Sequence, residues 1–265
     1  MIVYMIILFV IGIILGHIYT KLGMALGKRG KVHFKCDTCL HDLKIYEKLY
    51  LFRKVINKGR CKYCNEKIAT SNAFFELLSG VLFALAYFVN KDLDGYYLYT
   101  ALYIAVFSCF IIIMASDYHH MIIPDIILII AGILIITLKV WIGFYTEEIT
   151  GLMDMGYEII FKLINSAVMF IIMFIVQKVS NLVFKSNSLG FGDVKLMAII
   201  AIILGWKMSI ACIFIACFMA LPVSIYNLQK KDKKLLPFGP YLAFGTIILM
   251  LLNINFDMII DFLRR

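Results

Sequence analysis

Two aspartates stand at the edges of apolar runs, where an ionisable side chain is costly. Asp117 closes one run, in Met114-Ala-Ser-Asp117-Tyr-His-His, and Asp193 opens another, in Leu189-Gly190-Phe-Gly192-Asp193-Val-Lys195. Two carboxylates sharing a site cannot easily both ionise, so one keeps a proton while the other stays charged. Such a pair can activate a water with one group and protonate a carbonyl oxygen with the other. Each residue also has a plainer use, Asp193 as a helix N-cap and Asp117 as an interfacial stop. Gly190 and Gly192 favour the catalytic reading, because residues without a Cβ let the backbone approach a neighbouring helix or an extended peptide.

Seven residues after Asp117 comes Pro124, followed by Asp125. Proline suits the start of a helix and an acid suits its first turn, so Asp125 has a structural explanation and ranks below Asp117 as a catalyst. His119 and His120 could serve as acid, base or ligand, but adjacent histidines on a short interfacial loop are more often in contact with head groups or solvent, and that is the expectation here. Pro237-Phe-Gly239-Pro240 reads as another helix start.

A third constellation is Cys36-Asp-Thr-Cys39 and Cys61-Lys-Tyr-Cys64, with 21 residues between the pairs. Two such knuckles in one loop predict a tetrahedral structural zinc site, which would supply folding energy to a small polar segment. Disulfides are disfavoured if the loop is cytoplasmic, and a redox pair does not explain two knuckles. Cys109, Cys212 and Cys217 fall in apolar runs and are expected to be packing residues.

The elements that must position these residues are membrane segments. Of 265 residues, 63% are hydrophobic and only 16% charged, and the mean hydropathy is +0.92. Eight apolar segments, roughly 1–20, 73–90, 97–116, 122–144, 159–184, 189–206, 209–228 and 238–256, predict an all-α polytopic membrane protein. The first lacks a basic flank and a small-residue cleavage pattern, so it reads as a retained helix. The net charge of +9 is concentrated: residues 21–72 hold thirteen Lys/Arg and four Asp/Glu, 13 − 4 = +9. Basic loops stay on the cytoplasmic side, with anionic lipid head groups as natural partners. Nothing else in the chain supports nucleic-acid binding.

Alternation from that loop sets loops 117–121, 185–193 and 229–237 inside, and 91–96, 145–158 and 207–208 outside. Four acids without a base in 145–158, and four lysines in 229–237, agree with it; the terminal Arg264-Arg265 conflicts mildly. Both Asp117 and Asp193 then face the cytoplasmic side. The sixth segment is short: Lys195 to Trp206 gives about 18 Å of helix, and only a start near Ser188 approaches the roughly 30 Å of a bilayer core.

The ordered set of paired CxxC knuckles, Asp117-x6-Pro124-Asp125, Gly190-Phe-Gly192-Asp193 and Pro237-Phe-Gly239-Pro240 resembles the bacterial type IV prepilin leader peptidases. The stretch Asn72-Ala-Phe-Phe-Glu76-Leu looks like that family's entry into its second helix. The resemblance covers nearly the whole chain. It implies a GxGD intramembrane aspartyl protease of the bacterial inner membrane, its active site facing the cytoplasm. Such an enzyme removes the short basic leader of type IV prepilin or pseudopilin precursors. By position, Asp117 and Asp193 would be catalytic, with Gly190, Gly192, Pro124, Pro237 and Gly239 positioning substrate, and Cys36, Cys39, Cys61 and Cys64 holding zinc. Many members also methylate the new N-terminus with S-adenosylmethionine. No donor-binding signature is visible in the residues, and the stretch Gly16-His-Ile-Tyr-Thr-Lys-Leu-Gly23 departs from the family's usual Asn and Arg-Leu-Pro.

The implied organisation is a first transmembrane helix at 1–20, a basic zinc-ribbon-like tetracysteine domain at 21–72, and a transmembrane aspartyl peptidase core at 73–265. The competing reading is a proton- or cation-coupled transporter with the aspartates as a relay. It predicts acids near the bilayer midplane and inverted repeats, and no repeat is detected.

Overall fold

The structure, a computed structural model, describes residues 1–28, 30, 39, 41, 49–51, 60–65, 70–184, 189–229, 236–254 and 256–264. The described residues form nine helices: α1 (Ile2–Gly27), α2 (Thr70–Asn90), α3 (Tyr96–His120), α4 (Asp125–Tyr145), α5 (Leu152–Phe184), α6 (Phe191–Leu204), α7 (Trp206–Gln229), α8 (Gly239–Leu251) and α9 (Phe256–Leu263). Six of them, α1 to α5 and α7, are long and apolar enough to cross a membrane. The chain divides into two compact units, Met1–Pro124 and Asp125–Arg265.

The first unit packs α1, α2 and α3 together. In α1 the usual distribution of polarity is inverted. Its buried residues are Gly12, Gly16, His17, Thr20, Lys21, Gly23 and Gly27, whereas Ile2, Val3, Ile6, Ile7 and Val10 are exposed. In lipid, burying apolar side chains gains little, and close backbone approach and polar contacts drive association instead. A Cβ on Gly12 would lie 2.7 Å from the Ser79 carbonyl oxygen of α2, and one on Gly23 2.5 Å from the Ile112 carbonyl oxygen of α3. The small residues of α1 are therefore where α2 and α3 seat.

The second unit is organised around α6, which packs against α4, α5, α7 and α8. The helix has 14 residues, about 21 Å at 1.5 Å per residue, and nine of them are buried. It is too short to span a bilayer on its own, and neighbouring helices cover most of it. The expected break at 207–208 falls instead at Gly205, whose φ of +80° suits a residue without Cβ, and α7 begins at once with Trp206. The Asn165 side-chain carbonyl on α5 accepts the Trp206 N–H at 3.1 Å, satisfying one of the free donors at the start of α7. The eighth segment is likewise short, 13 residues ending at Leu251.

Further stretches expected as loop are helical, among them 21–27 at the end of α1. α3 continues to His120, so Asp117, His119 and His120 lie in its last turns, and Met121 ends the helix in the left-handed region at φ 54°. α5 begins at Leu152, which shortens loop 145–158. Asp154 accepts hydrogen bonds from the Thr150 N–H and hydroxyl, and Glu158 pairs with Lys162 one turn on. These local bonds extend the helix ahead of its apolar run. Cys109 and Cys212 are buried as expected, but Cys217 is exposed on α7 and packs in no core.

Candidate active site

Asp117 is 5% exposed. Its backbone carbonyl accepts the Met121 N–H at 2.8 Å, closing the last turn of α3. The neighbouring Ser116 hydroxyl donates to the Ile122 carbonyl at 2.7 Å, folding the chain back after the helix. Pro124 is buried and ends this segment, and Asp125 opens α4. The chain thus turns out of α3 within a few residues of Asp117, over a proline that fixes its own backbone.

Asp193 is 8% exposed and is the third residue of α6. The N-cap is Gly190, in extended conformation at φ −68°, so this glycine is not required by its backbone angles. Its value is space. A Cβ there would lie 3.1 Å from Asp193 Oδ2, showing that the carboxylate folds back over residue 190. Gly192 lies inside the first helical turn. Glycine, phenylalanine and glycine therefore form a helix start rather than an open turn. At that start the free N–H groups and helix dipole favour a negative charge.

The surroundings of Asp193 in the second unit are tied in by three contacts. Gln177 of α5 donates to the Leu189 carbonyl at 3.0 Å, holding the approach to α6. Lys195 Nζ pairs with Asp125 Oδ1 at 2.7 Å, joining α6 to the start of α4. Phe191 packs edge-on against Phe170 of α5, their ring centres 6.2 Å apart, and lies under Lys195. A cavity of about 330 Å³ opens beside these residues, walled by apolar side chains such as Leu128 and Ile199 and carrying Asp125 and Lys195. Gly239 is buried at the start of α8, with Pro240 beside it and Pro237 half-buried just before.

Three of the four predicted metal ligands are described, and Cys36 lies outside the described residues. The sulfur atoms of Cys39, Cys61 and Cys64 all fall within 4.8 Å of one another, and Cys39 and Cys61 are 4.0 Å apart. Four thiolates at about 2.3 Å from a tetrahedral zinc ion would be about 3.8 Å apart, so the described set fits three corners of such a site. The second knuckle has the tight geometry this needs: the Asn65 N–H bonds the Cys61 carbonyl at 3.0 Å, with Asn65 at φ 58°.

Sequence reasoning overlooked a buried polar cluster in the first unit. Glu76 on α2 is 0% exposed, His17 on α1 4% and Lys21 5%. His17 Nδ1 lies 2.9 Å from Glu76 Oε1. A signal was present: His17 and Lys21 stand one turn apart on an otherwise apolar helix, and Glu76 interrupts another. His119 was also misread. Its Nε2 lies 2.8 Å from the Asn72 side-chain oxygen on α2, an internal contact rather than one with head groups or solvent, and His120 packs against Gly27 of α1. These contacts arise because α3 carries both histidines past the end of its apolar run.

Two family models match the chain. That of the Type IV leader peptidase family covers residues 104–225, and that of the Bacterial Peptidase A24 N-terminal domain covers residues 10–89. The first region holds Asp117, Pro124, Gly190, Gly192 and Asp193; the second holds all four knuckle cysteines, His17 and Glu76. A "Prepilin leader peptidase/N-methyltransferase" of Bacillus subtilis (strain 168) is 28% identical, over 97% of this chain and 96% of the relative. A "Type 4 prepilin-like proteins leader peptide-processing enzyme" of Escherichia coli O78:H11 (strain H10407 / ETEC) is 25% identical, over 83% of this chain and 76% of the relative. A "Prepilin leader peptidase/N-methyltransferase" of Pseudomonas putida is 21% identical, over 82% and 71%. No solved structure matches.

Proposed function

Because the chain belongs to the type IV leader peptidase family, we propose that it is an intramembrane aspartyl endopeptidase cleaving type IV prepilin or pseudopilin precursors, with Asp117 and Asp193 as its catalytic pair. The observation that carries this reading is that both aspartates are buried at helix ends within the region the peptidase model matches. The same match favours the peptidase over the transporter.

The helix ends suggest the division of labour. Asp193, at the positive end of the α6 dipole, is the carboxylate that takes a proton from water. The resulting hydroxide attacks the scissile carbonyl carbon. Asp117, in the last turn of α3, supplies the proton for the carbonyl oxygen. Collapse of the tetrahedral intermediate breaks the C–N bond, the amine leaves with a proton, and the pair returns to its starting state. Gly190 keeps room for the Asp193 carboxylate. Gly192, Pro124, Pro237 and Gly239 shape the helix starts along which the substrate backbone is held.

The basic loop 21–72 supports a cytoplasmic active site in the bacterial inner membrane, with anionic lipids around the lysines. Zinc at Cys36, Cys39, Cys61 and Cys64 is assigned a structural role, crosslinking the loop. A second activity, methylation of the new N-terminal amine with S-adenosylmethionine, rests on the relatives' names. The amine would take the methyl group from the sulfonium and release a proton.

The test is a cleavage assay on purified enzyme in lipid with a prepilin precursor, read by mass spectrometry. Wild type cleaves; Asp117→Asn and Asp193→Asn each remain folded and do not. Cleavage retained by either variant removes that residue from the mechanism. Adding S-adenosylmethionine raises the product mass by one methyl group if the second activity is present.

A further inference from the structure

The buried cluster at Glu76 holds something besides helices. Tyr50, from the loop that carries the cysteines, is 1% exposed. Its N–H donates to Glu76 Oε1 at 2.9 Å, and the Leu51 N–H donates to Glu76 Oε2 at 2.8 Å. The Tyr50 ring centre is 5.2 Å from that of His17, and Lys21 Nζ stands 5.4 Å from the ring. Both oxygens of a fully buried carboxylate are thus spent on two consecutive backbone N–H groups of the loop. The tyrosine ring lies buried beside His17 and Lys21 of α1. A carboxylate that accepts several N–H bonds is a strong acceptor, and removing it would strand those donors in a dry site.

Tyr50 is midway between the knuckles: 50 − 39 = 11 residues from Cys39 and 61 − 50 = 11 from Cys61. The two knuckle sulfurs are 4.0 Å apart, so Cys39 and Cys61 come together while Tyr50, midway between them in sequence, is buried on Glu76. We propose that these two attachments are coupled. Zinc held by the cysteines strengthens the seating of Tyr50 in the His17–Lys21–Glu76 socket, and the seated tyrosine strengthens zinc binding. This rests on the zinc assignment above.

The physical cause is loop entropy. A chain segment whose ends are not joined has more conformational freedom to lose when a residue at its middle is seated. A metal that joins the ends removes much of that freedom in advance. Linkage then requires the effect to be reciprocal: whatever factor zinc adds to seating, seating adds to zinc affinity. Through Glu76 the metal centre becomes a condition on the α1–α2 helix pair and not on the loop alone.

The experiment uses the full chain in lipid nanodiscs. Hydrogen exchange is measured at residues 49–51 with and without zinc, and zinc affinity by competition with a chromogenic chelator. Wild type is compared with Glu76→Gln and Tyr50→Ala. Exchange in α3 checks that each variant keeps its helices, and Tyr50→Ala leaves the Glu76–His17 contact in place. The expected result is that zinc slows exchange at Tyr50 and Leu51 about tenfold, within the roughly 5–150-fold range of coupled sites. Both variants weaken zinc binding by a similar factor. Equal exchange with and without bound zinc, or a wild-type zinc affinity in Glu76→Gln, overturns the coupling. A wild-type protein that binds no zinc overturns the metal assignment itself. Fast exchange in Glu76→Gln alone would then leave only a metal-independent socket.

Discussion

Substituting Gly190 by alanine separates two reasons for a glycine beside Asp193, the aspartate proposed to be catalytic. In the first, the missing side chain makes room for the Asp193 carboxylate. In the second, it makes room for the substrate backbone. The added Cβ would stand 3.1 Å from Asp193 Oδ2, against ordinary contact from 3.4 Å, so the carboxylate must shift by about 3.4 − 3.1 = 0.3 Å. A misplacement of about 1 Å costs roughly 10²-fold in rate, so in proportion about 0.3 Å costs roughly fourfold in kcat. Alanine tolerates the φ of −68° here. Its poorer N-capping costs about 0.5–1 kcal/mol of stability, too little to unfold the protein. The assay is steady-state cleavage of a precursor in nanodiscs, with kcat and KM separated and thermal unfolding followed alongside. Carboxylate displacement lowers kcat about fourfold with KM unchanged. A raised KM at unchanged kcat would refute that reasoning and return Gly190 to substrate passage. A kcat equal to wild type would show that Asp193 does not depend on its present position.

Gly12→Ala adds a Cβ 2.7 Å from the Ser79 carbonyl oxygen and 2.8 Å from Gly80 Cα. Both are backbone atoms that cannot step aside, so α1 and α2 must separate. Destabilisation of about 1–3 kcal/mol is expected in thermal or denaturant unfolding. Lys139 on α4 donates to the Ile203 carbonyl at 3.0 Å, satisfying a free acceptor at the C-terminal end of α6. Lys139→Met should cost roughly 1–2 kcal/mol, measured the same way, while Lys139→Arg retains most of it. If the cysteines hold zinc as proposed, a chelator, or replacement of Cys61 by serine, should expose the segment between α1 and α2 to limited proteolysis while α4 to α8 stay protected. Unchanged digestion would deny the metal a structural role.

Much of the arrangement is legible along the chain because membrane burial acts on local composition. Apolar runs identify the helices, and the basic segment 21–72 stands apart from them. The knuckle spacing found a real juxtaposition, because C-x2-C geometry is itself local: Cys61 and Cys64 lie within one tight turn closed by Asn65. Helix ends were less legible. Asp117, His119 and His120 read as loop because polar residues ended an apolar run. Yet α3 continues through them, and His119 gains a partner in Asn72. Asp154 and Glu158 extended α5 for a similar reason, through side-chain bonds that hydropathy does not register.

The sequence by itself determined a helical membrane protein, a cysteine loop, two aspartates at the ends of apolar runs, and family membership. Only the tertiary structure decided that α6 is a short helix enclosed by four others. It alone seated Tyr50 on Glu76 and gave Gly190 its use as space for a carboxylate. The division has one cause. Hydropathy, charge and knuckle spacing are properties of neighbouring residues, and are written in their order. The Glu76 bonds join positions 25 and 26 residues apart, and His17 reaches across 59. Such contacts exist only after helices pack, and they depend on close approach at small residues such as Gly12 and Gly16, whose significance no single segment reveals.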